Sequence, residues 1–316
     1  MTKRRLFPPI IVIAACCAVP FVFDPEKSYL IYFLFMASIY VTLAQSWNLV
    51  AGYTGQVSLG QHAFFGLGGY VVAIAWSRGL IGYLSPIGII MAGVAASILA
   101  ILIGIPLLSK LRGDYFALGT LGLGEILRLV TIQGGALTGG PMGLLLPASS
   151  FGTIRPHYFI ALFLALLSIA VSLYMVKSHI GLALVSIRED EAAAEANGIN
   201  VLKFKVLSFA VAAFLAGMSG ALLANYVFTV DPQGFYGLNW TLYPVLICVL
   251  GGAGTITGPI IGGLLLTAVF EVARYFLPEI HPIFSGLFII LAIIFLPHGL
   301  MGLRVTGIAK GKGGAR

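Results

Sequence analysis

A helix of about 20 apolar residues spans the hydrocarbon core of a bilayer, and segments of that length recur along this chain almost from end to end. Candidate spans are 7–23, 29–50, 57–77, 84–108, 115–132, 158–176, 206–228, 240–254, 257–276 and 282–298. Lipid offers backbone groups no hydrogen-bond partner, so each crossing has to be helical. Composition closes off the other classes. Only 9% of residues are charged and 59% are hydrophobic, with a mean hydropathy of +1.02, too little polar surface for a water-soluble globule of 316 residues. A disordered chain would show the opposite balance. A membrane β-barrel would show alternation rather than long apolar runs. The 40 glycines follow no G-X-Y period. The expected fold class is all-α: a polytopic transmembrane helical bundle of about ten spans (eight to ten), forming a single transmembrane domain over 1–316.

Lys and Arg placement gives the orientation. With the N-terminus in the cytoplasm, Lys3, Arg4, Arg5, Lys110, Arg112, Lys177, Arg188, Lys203, Lys205, Arg304, Lys310, Lys312 and Arg316 fall inside. Lys27, Arg78 and Arg155 fall outside, and Arg274 lies near the outer end of a span. Ten crossings return the basic tail 305–316 to the cytoplasm, so span count and charge agree. The net charge of +7 therefore reads as topology and contact with membrane lipid, not as a nucleic-acid surface. The basic start before an apolar stretch also resembles a signal peptide. Its removal would break that parity. Cys16, Cys17 and Cys248 lie in apolar runs without a C-x-x-C pair, so neither a disulfide framework nor a metal site is expected.

One stretch outside the spans stands apart. Residues 178–205 gather Arg188, Glu189, Asp190, Glu191 and Glu195 among alanines, then Asn197-Gly198 and Lys203 and Lys205. Ala and Glu favour helix, and Asn-Gly is a stop. A short cytoplasmic helix with a turn inside it is expected, with Arg188 and Glu191 pairing across one turn.

Four blocks of sequence resemble one family. They are Glu189-Asp190-Glu191-Ala192-Ala193-Ala194-Glu195-Ala196-Asn197-Gly198; Gly52-Tyr53-Thr54-Gly55-Gln56-Val57-Ser58-Leu59-Gly60-Gln61; Gly113-Asp114-Tyr115-Phe116 continuing to Glu125 and Arg128; and Gly251-Gly252-Ala253-Gly254-Thr255-Ile256-Thr257-Gly258-Pro259. In this order they resemble the permeases of ABC importers, and more narrowly the branched-chain amino acid permease family, its LivM-type subunit rather than the partner permease. The resemblance implies a bacterial inner-membrane importer. In it two permease subunits pair, two cytoplasmic ABC ATPase subunits drive transport, and a periplasmic solute-binding protein delivers the solute. Arg188, Glu189, Asp190, Glu191, Glu195 and Gly198 would then couple to the ATPases. No G-x-x-x-x-G-K-[ST] occurs, so the chain needs no cofactor of its own, and ATP is bound and hydrolysed by partner subunits. Permeases for urea or short amides resemble the family in the same blocks.

Polar residues inside apolar segments mark solute paths in many transporters. Thr54, Gln56, Ser58 and Gln61 interleave with Gly55, Gly60, Gly66, Gly68 and Gly69, and Glu125 and Arg128 lie one turn apart in a span. These six polar residues are the candidate translocation path. The glycines themselves, like Gly258-x-x-x-Gly262, favour tight helix packing, and His62 reads as a satisfied buried histidine. The Gly251–Gly258 break occupies the place in the second half that Gly52–Gly69 occupies in the first, which hints at two related halves. Glu271 and Arg274 read as a structural i,i+3 pair, and the turn-rich loop Gln133–His157 as a surface for the binding protein or partner permease. An ATP-independent secondary transporter would carry ionisable groups in several spans. A membrane enzyme is excluded by five scattered histidines and the absence of G-x-S-x-G.

Overall fold

The computed structural model describes residues 7–23, 28–148, 151–276, 286–287 and 299–301. The helices run α1 (Phe7–Val22), α2 (Tyr29–Thr54), α3 (Gln61–Ser77), α4 (Pro86–Lys110), α5 (Asp114–Gln133), α6 (Arg155–Lys177), α7 (His179–Glu189), α8 (Glu191–Ala196), α9 (Val201–Val227), α10 (Pro232–Phe235), α11 (Asn239–Gly251) and α12 (Thr257–Phe276). Nine of the ten expected segments fall on helices; the tenth, 282–298, lies outside the described residues except at 286–287, and the tail 305–316 lies wholly outside them. Seven helical segments among the described residues are long and apolar enough to cross a membrane, and the chain is an all-α multi-pass membrane protein. α1 and α3, at 16 and 17 residues, are shorter than those seven.

α2 and α9 form the centre. From Phe35 to Thr54 nearly every residue of α2 is buried, and α9 is buried along most of its 27 residues. Small residues let α9 approach its neighbours closely. Ala92, Ala96, Ala100 and Gly104 recur every fourth residue on the buried side of α4, which packs on α9. A Cβ on Gly217 of α9 would stand 2.7 Å from Ala96 Cβ and 2.8 Å from the Ala92 carbonyl. On its other flank, a Cβ on Gly68 of α3 would run into the Gly217 carbonyl, and one on Gly220 into the Phe65 carbonyl. Lipid gives no hydrophobic drive for helix association, so this close fit is what holds the helices together. The opposite face of α4 is apolar and exposed, with Ile87, Ile90, Val94, Ile98 and Leu102 pointing outward.

Polar groups inside the bundle are absorbed locally. Thr42 donates to the Ser38 carbonyl at 2.8 Å and Ser38 to the Leu34 carbonyl at 2.7 Å. At the end of the bundle where α5 stops and α6 starts, residues 134–148 fold back. Their strand β1 (Leu144–Leu145) pairs antiparallel with β2 (Thr229–Val230) after α9. At the same end Glu271 pairs with Arg274 at 3.7 Å and accepts from the Tyr29 hydroxyl, tying α12 to the start of α2, the structural role expected of it.

Candidate coupling and translocation site

The two glycine breaks meet at the opposite end of the bundle. α2 ends at Gly55, whose φ of +71° favours glycine. Residues 55–60 then run unwound to α3, so α3 starts at Gln61 and not at 57. The freed backbone finds side chains instead of lipid, as it must at membrane depth. Trp47 Nε1 donates to the Ser58 carbonyl at 2.8 Å, the Leu59 amide to Thr120 Oγ1 at 3.0 Å, and Thr241 Oγ1 to the Leu59 carbonyl at 3.3 Å. The second break, 252–256, is held by the polar face of α2. Asn48 Nδ2 donates to the Thr255 carbonyl at 2.8 Å, and Asn48 Oδ1 accepts from the Gly254 amide at 2.7 Å. Gln45 Nε2 donates to the Ile256 carbonyl at 2.7 Å. The contact is so close that a Cβ on Gly52 would stand 2.6 Å from the Gly254 nitrogen.

The segment after α6 closes this junction. Ser178 caps α7, Leu184 of α7 is buried in one cluster with Leu49, Tyr53, Met175 and Leu215, and Ile187 is buried as well. A short helix with a turn inside it was expected here; the turn falls at Asp190 and divides the segment into α7 and α8. Asp190 leaves helical geometry (φ −159°, ψ 114°), and its Oδ1 accepts from the Ala192 and Ala193 amides at 2.8 and 3.0 Å, starting α8. The expected Arg188–Glu191 pair is therefore not made, because residues three apart meet only where the helix continues between them. Arg188 donates from Nη1 to the Gly52 carbonyl at 3.0 Å and pairs with Glu189 at 2.9 Å. A Cβ on Gly55 would stand 2.9 Å from Arg188 Cγ, and one on Gly254 3.1 Å from Arg188 Nη1.

Glu191 is a hub. Its Oε1 accepts from Gln56 Nε2 at 2.9 Å and pairs with Lys205 Nζ; its Oε2 lies 3.8 Å from Arg112 Nε. The Lys205 side chain is 1% exposed, so its charge is answered by Glu191 and not by water. Gly198, with φ +82°, follows α8 at the expected stop. Leu182, Ser186, Glu189, Ala192, Ala193 and Glu195 face outward.

The six path candidates divide into two groups. Thr54, Gln56, Ser58 and Gln61 are buried: Thr54 bonds the Val50 carbonyl, Gln56 joins Glu191, and Gln61 bonds Ser46. Glu125 and Arg128 form their ion pair at 2.7 Å on the open side of α5, with side chains 50% and 29% exposed. The structure does not bring the two groups together. Between them, at Gly124, α5 packs directly on the His62 imidazole. His62 is buried and its Nδ1 lies 2.9 Å from Thr241 Oγ1, while Nε2 has no partner among the described residues. Gly66 and Gly69 pack on Tyr236 and Phe235, the packing role expected of the glycines. Sequence reasoning missed Gln45, Asn48 and Lys205. The first two were visible as polar residues in the second span, with Asn48 one turn before Gly52.

The family model described as "Branched-chain amino acid transport system / permease component" matches residues 29–294. The chain belongs to this family. It is a membrane permease subunit of a transporter, not an enzyme. It is 30% identical to the "High-affinity branched-chain amino acid transport system permease protein LivM" of Escherichia coli (strain K12), over 88% of this chain and 72% of that one. It is 26% identical to a probable LivM of Methanocaldococcus jannaschii, over 75% of this chain and 77% of the relative. A third relative, the LivH permease protein of Salmonella typhimurium, is 30% identical over 49% of each chain. No solved structure matches the chain.

Proposed function

We propose that this permease is one of two paired membrane subunits of an ABC importer that carries branched-chain amino acids, or a related small polar solute, into the cytoplasm by alternating access. The observation that carries the reading is the wiring of α7 and α8. Arg188 holds the carbonyl of Gly52, where both glycine breaks touch, and Glu191 holds Gln56 of the first break together with Lys205 of α9. A push on this elbow reaches α2, α9 and both breaks at once. Its outward face, with Glu189 and Glu195, is free to meet another subunit. Two cytoplasmic ATPases bind and hydrolyse ATP and drive that push, and a periplasmic binding protein supplies solute to the far side.

The elbow end of the bundle carries Lys110, Arg112, Lys177, Arg188, Lys203 and Lys205, while the far end carries Arg78, Arg155 and Arg274. By the Lys/Arg bias the elbow end is cytoplasmic. With ten spans both termini lie there too, in the inner membrane of a bacterium, and segment 178–205 is the coupling part of a single permease domain. The matched placement of the two breaks, between α2 and α3 and between α11 and α12, supports two related halves. Thr54, Gln56, Ser58 and Gln61 lie where the first break would open to the solute, and Glu125 and Arg128 lie on the α5 face that the second permease would cover.

The test is uptake of labelled leucine by the reconstituted importer, with and without its binding protein, and with urea and acetamide as competitors. ATP-dependent leucine uptake that requires the binding protein is expected. Preferential urea or amide uptake would move the substrate, and uptake without ATP would overturn the reading.

A further inference from the structure

The outer surface between α4 and α9 holds a groove of about 460 Å³. Ile101, Ile105, Val206 and Ala210 form its apolar floor, and Asn200 and Lys203 stand at its mouth. Both helices are long and apolar enough to cross a membrane, so the groove faces lipid and not water. From Lys203 to Ala210 it descends seven residues of helix, about 10 Å at 1.5 Å per residue. That depth suits the upper part of an acyl chain.

Its mouth is chemically one-sided. Lys203 is exposed and makes no ion pair among the described residues. Asn200 Oδ1 is occupied by the Lys203 amide at 3.0 Å, which leaves the amide nitrogen to donate outward. No acidic side chain lines the groove. Lys110 adds positive charge at the same end of the bundle, where α4 stops and α9 starts, while Arg112 there lies 3.8 Å from Glu191 Oε2. Two donors, one of them cationic, over an apolar channel match a phosphodiester on a hydrocarbon chain. A choline or ethanolamine headgroup would bring its own cation to a basic rim; an uncharged glycerol would not.

We propose that this groove binds an anionic glycerophospholipid from the surrounding leaflet, its acyl chain along Ile101 to Ala210 and its phosphate on Lys203 and Asn200. The bound lipid sits at the root of α9, two residues from the Lys205 that holds Glu191.

The full chain, purified in a neutral detergent, is incubated with equal amounts of dioleoylphosphatidylglycerol and dioleoylphosphatidylcholine, and retained lipid is counted by native mass spectrometry. The glycerol lipid is expected to be retained about fivefold more, the worth of one basic residue at a charged surface. Lys203→Gln removes that preference without removing binding, and Val206→Trp, which fills the groove, lowers retention of both lipids. Inorganic phosphate at the same concentration does not displace the lipid. An unchanged preference in Lys203→Gln, full retention in Val206→Trp, or displacement by phosphate would each overturn the assignment.

Discussion

Removing the Glu191 carboxylate should release α8 while leaving the transmembrane bundle folded. In Glu191→Ala, Lys205 keeps its charge in a position 1% exposed, and Gln56 loses its acceptor. Breaking a buried pair by deleting one partner costs about 3–5 kcal/mol. The Glu191 side chain is itself 22% exposed, so part of that cost is screened. Arg112, at 3.8 Å and 78% exposed, adds nothing measurable. A local loss of about 2–4 kcal/mol remains. Expressed as opening of α8, this speeds hydrogen exchange at the Ala194, Asn197 and Ile199 amides, which close its backbone bonds, by roughly 30- to 800-fold. Exchange along α9 beyond Ser208 stays unchanged. Adding Lys205→Met, which removes the stranded charge, recovers a large part of the loss. Unchanged exchange in Glu191→Ala, or a double variant as loose as the single one, would refute the assignment of Glu191 and Lys205 as the pair that seats α8.

Arg188→Ala removes a charged hydrogen bond to Gly52, worth about 1.5–3 kcal/mol; ATPase co-purification and leucine uptake are expected to fall about tenfold or more, with membrane insertion intact by protease protection. Asn48→Ala takes two bonds from the second break, at 2.7 and 2.8 Å, and should lower uptake while ATPase co-purification is retained, since the elbow is untouched. Gly68→Ala forces a methyl group against the Gly217 carbonyl and is expected to destabilise the purified chain by about 1–3 kcal/mol, read as a lower midpoint of thermal unfolding in detergent. Glu125→Gln with Arg128→Gln, at a half-exposed pair, should leave that midpoint within about 1 kcal/mol of the parent.

Helix positions were legible because apolar length is a strong signal, and nine expected segments coincide with helices. Edges moved where a local cap outweighed hydropathy. α9 starts at Val201 and not at 206 because Asn200 Oδ1 accepts from the Lys203 amide, which draws two lysines into the helix. The elbow and a turn within it were legible from its charges and alanines, but the place of that turn was not. Arg188 and Glu191 stand three apart, a pairing distance only in a continuous helix, whereas Asp190 before Glu-Ala-Ala-Ala is itself a cap signal that divides the run. The meeting of the two breaks could not be read at all. It depends on Asn48 reaching a residue 207 positions away, and neither hydropathy nor spacing carries such a distance. The burial of Lys205 is similar: in sequence it belongs to a basic loop, and only the fold places it under Glu191.

In the proposed importer the α7–α8 elbow receives the ATP-driven motion. A photocrosslinking residue in place of Glu195, exposed on the outward face of α8, reports on this contact in the assembled importer. The adduct is predicted to join this permease to an ATPase subunit and to change in yield when a non-hydrolysable ATP analogue is added. An adduct to lipid alone, or labelling of that position by an impermeant reagent from the periplasmic side, would contradict the account.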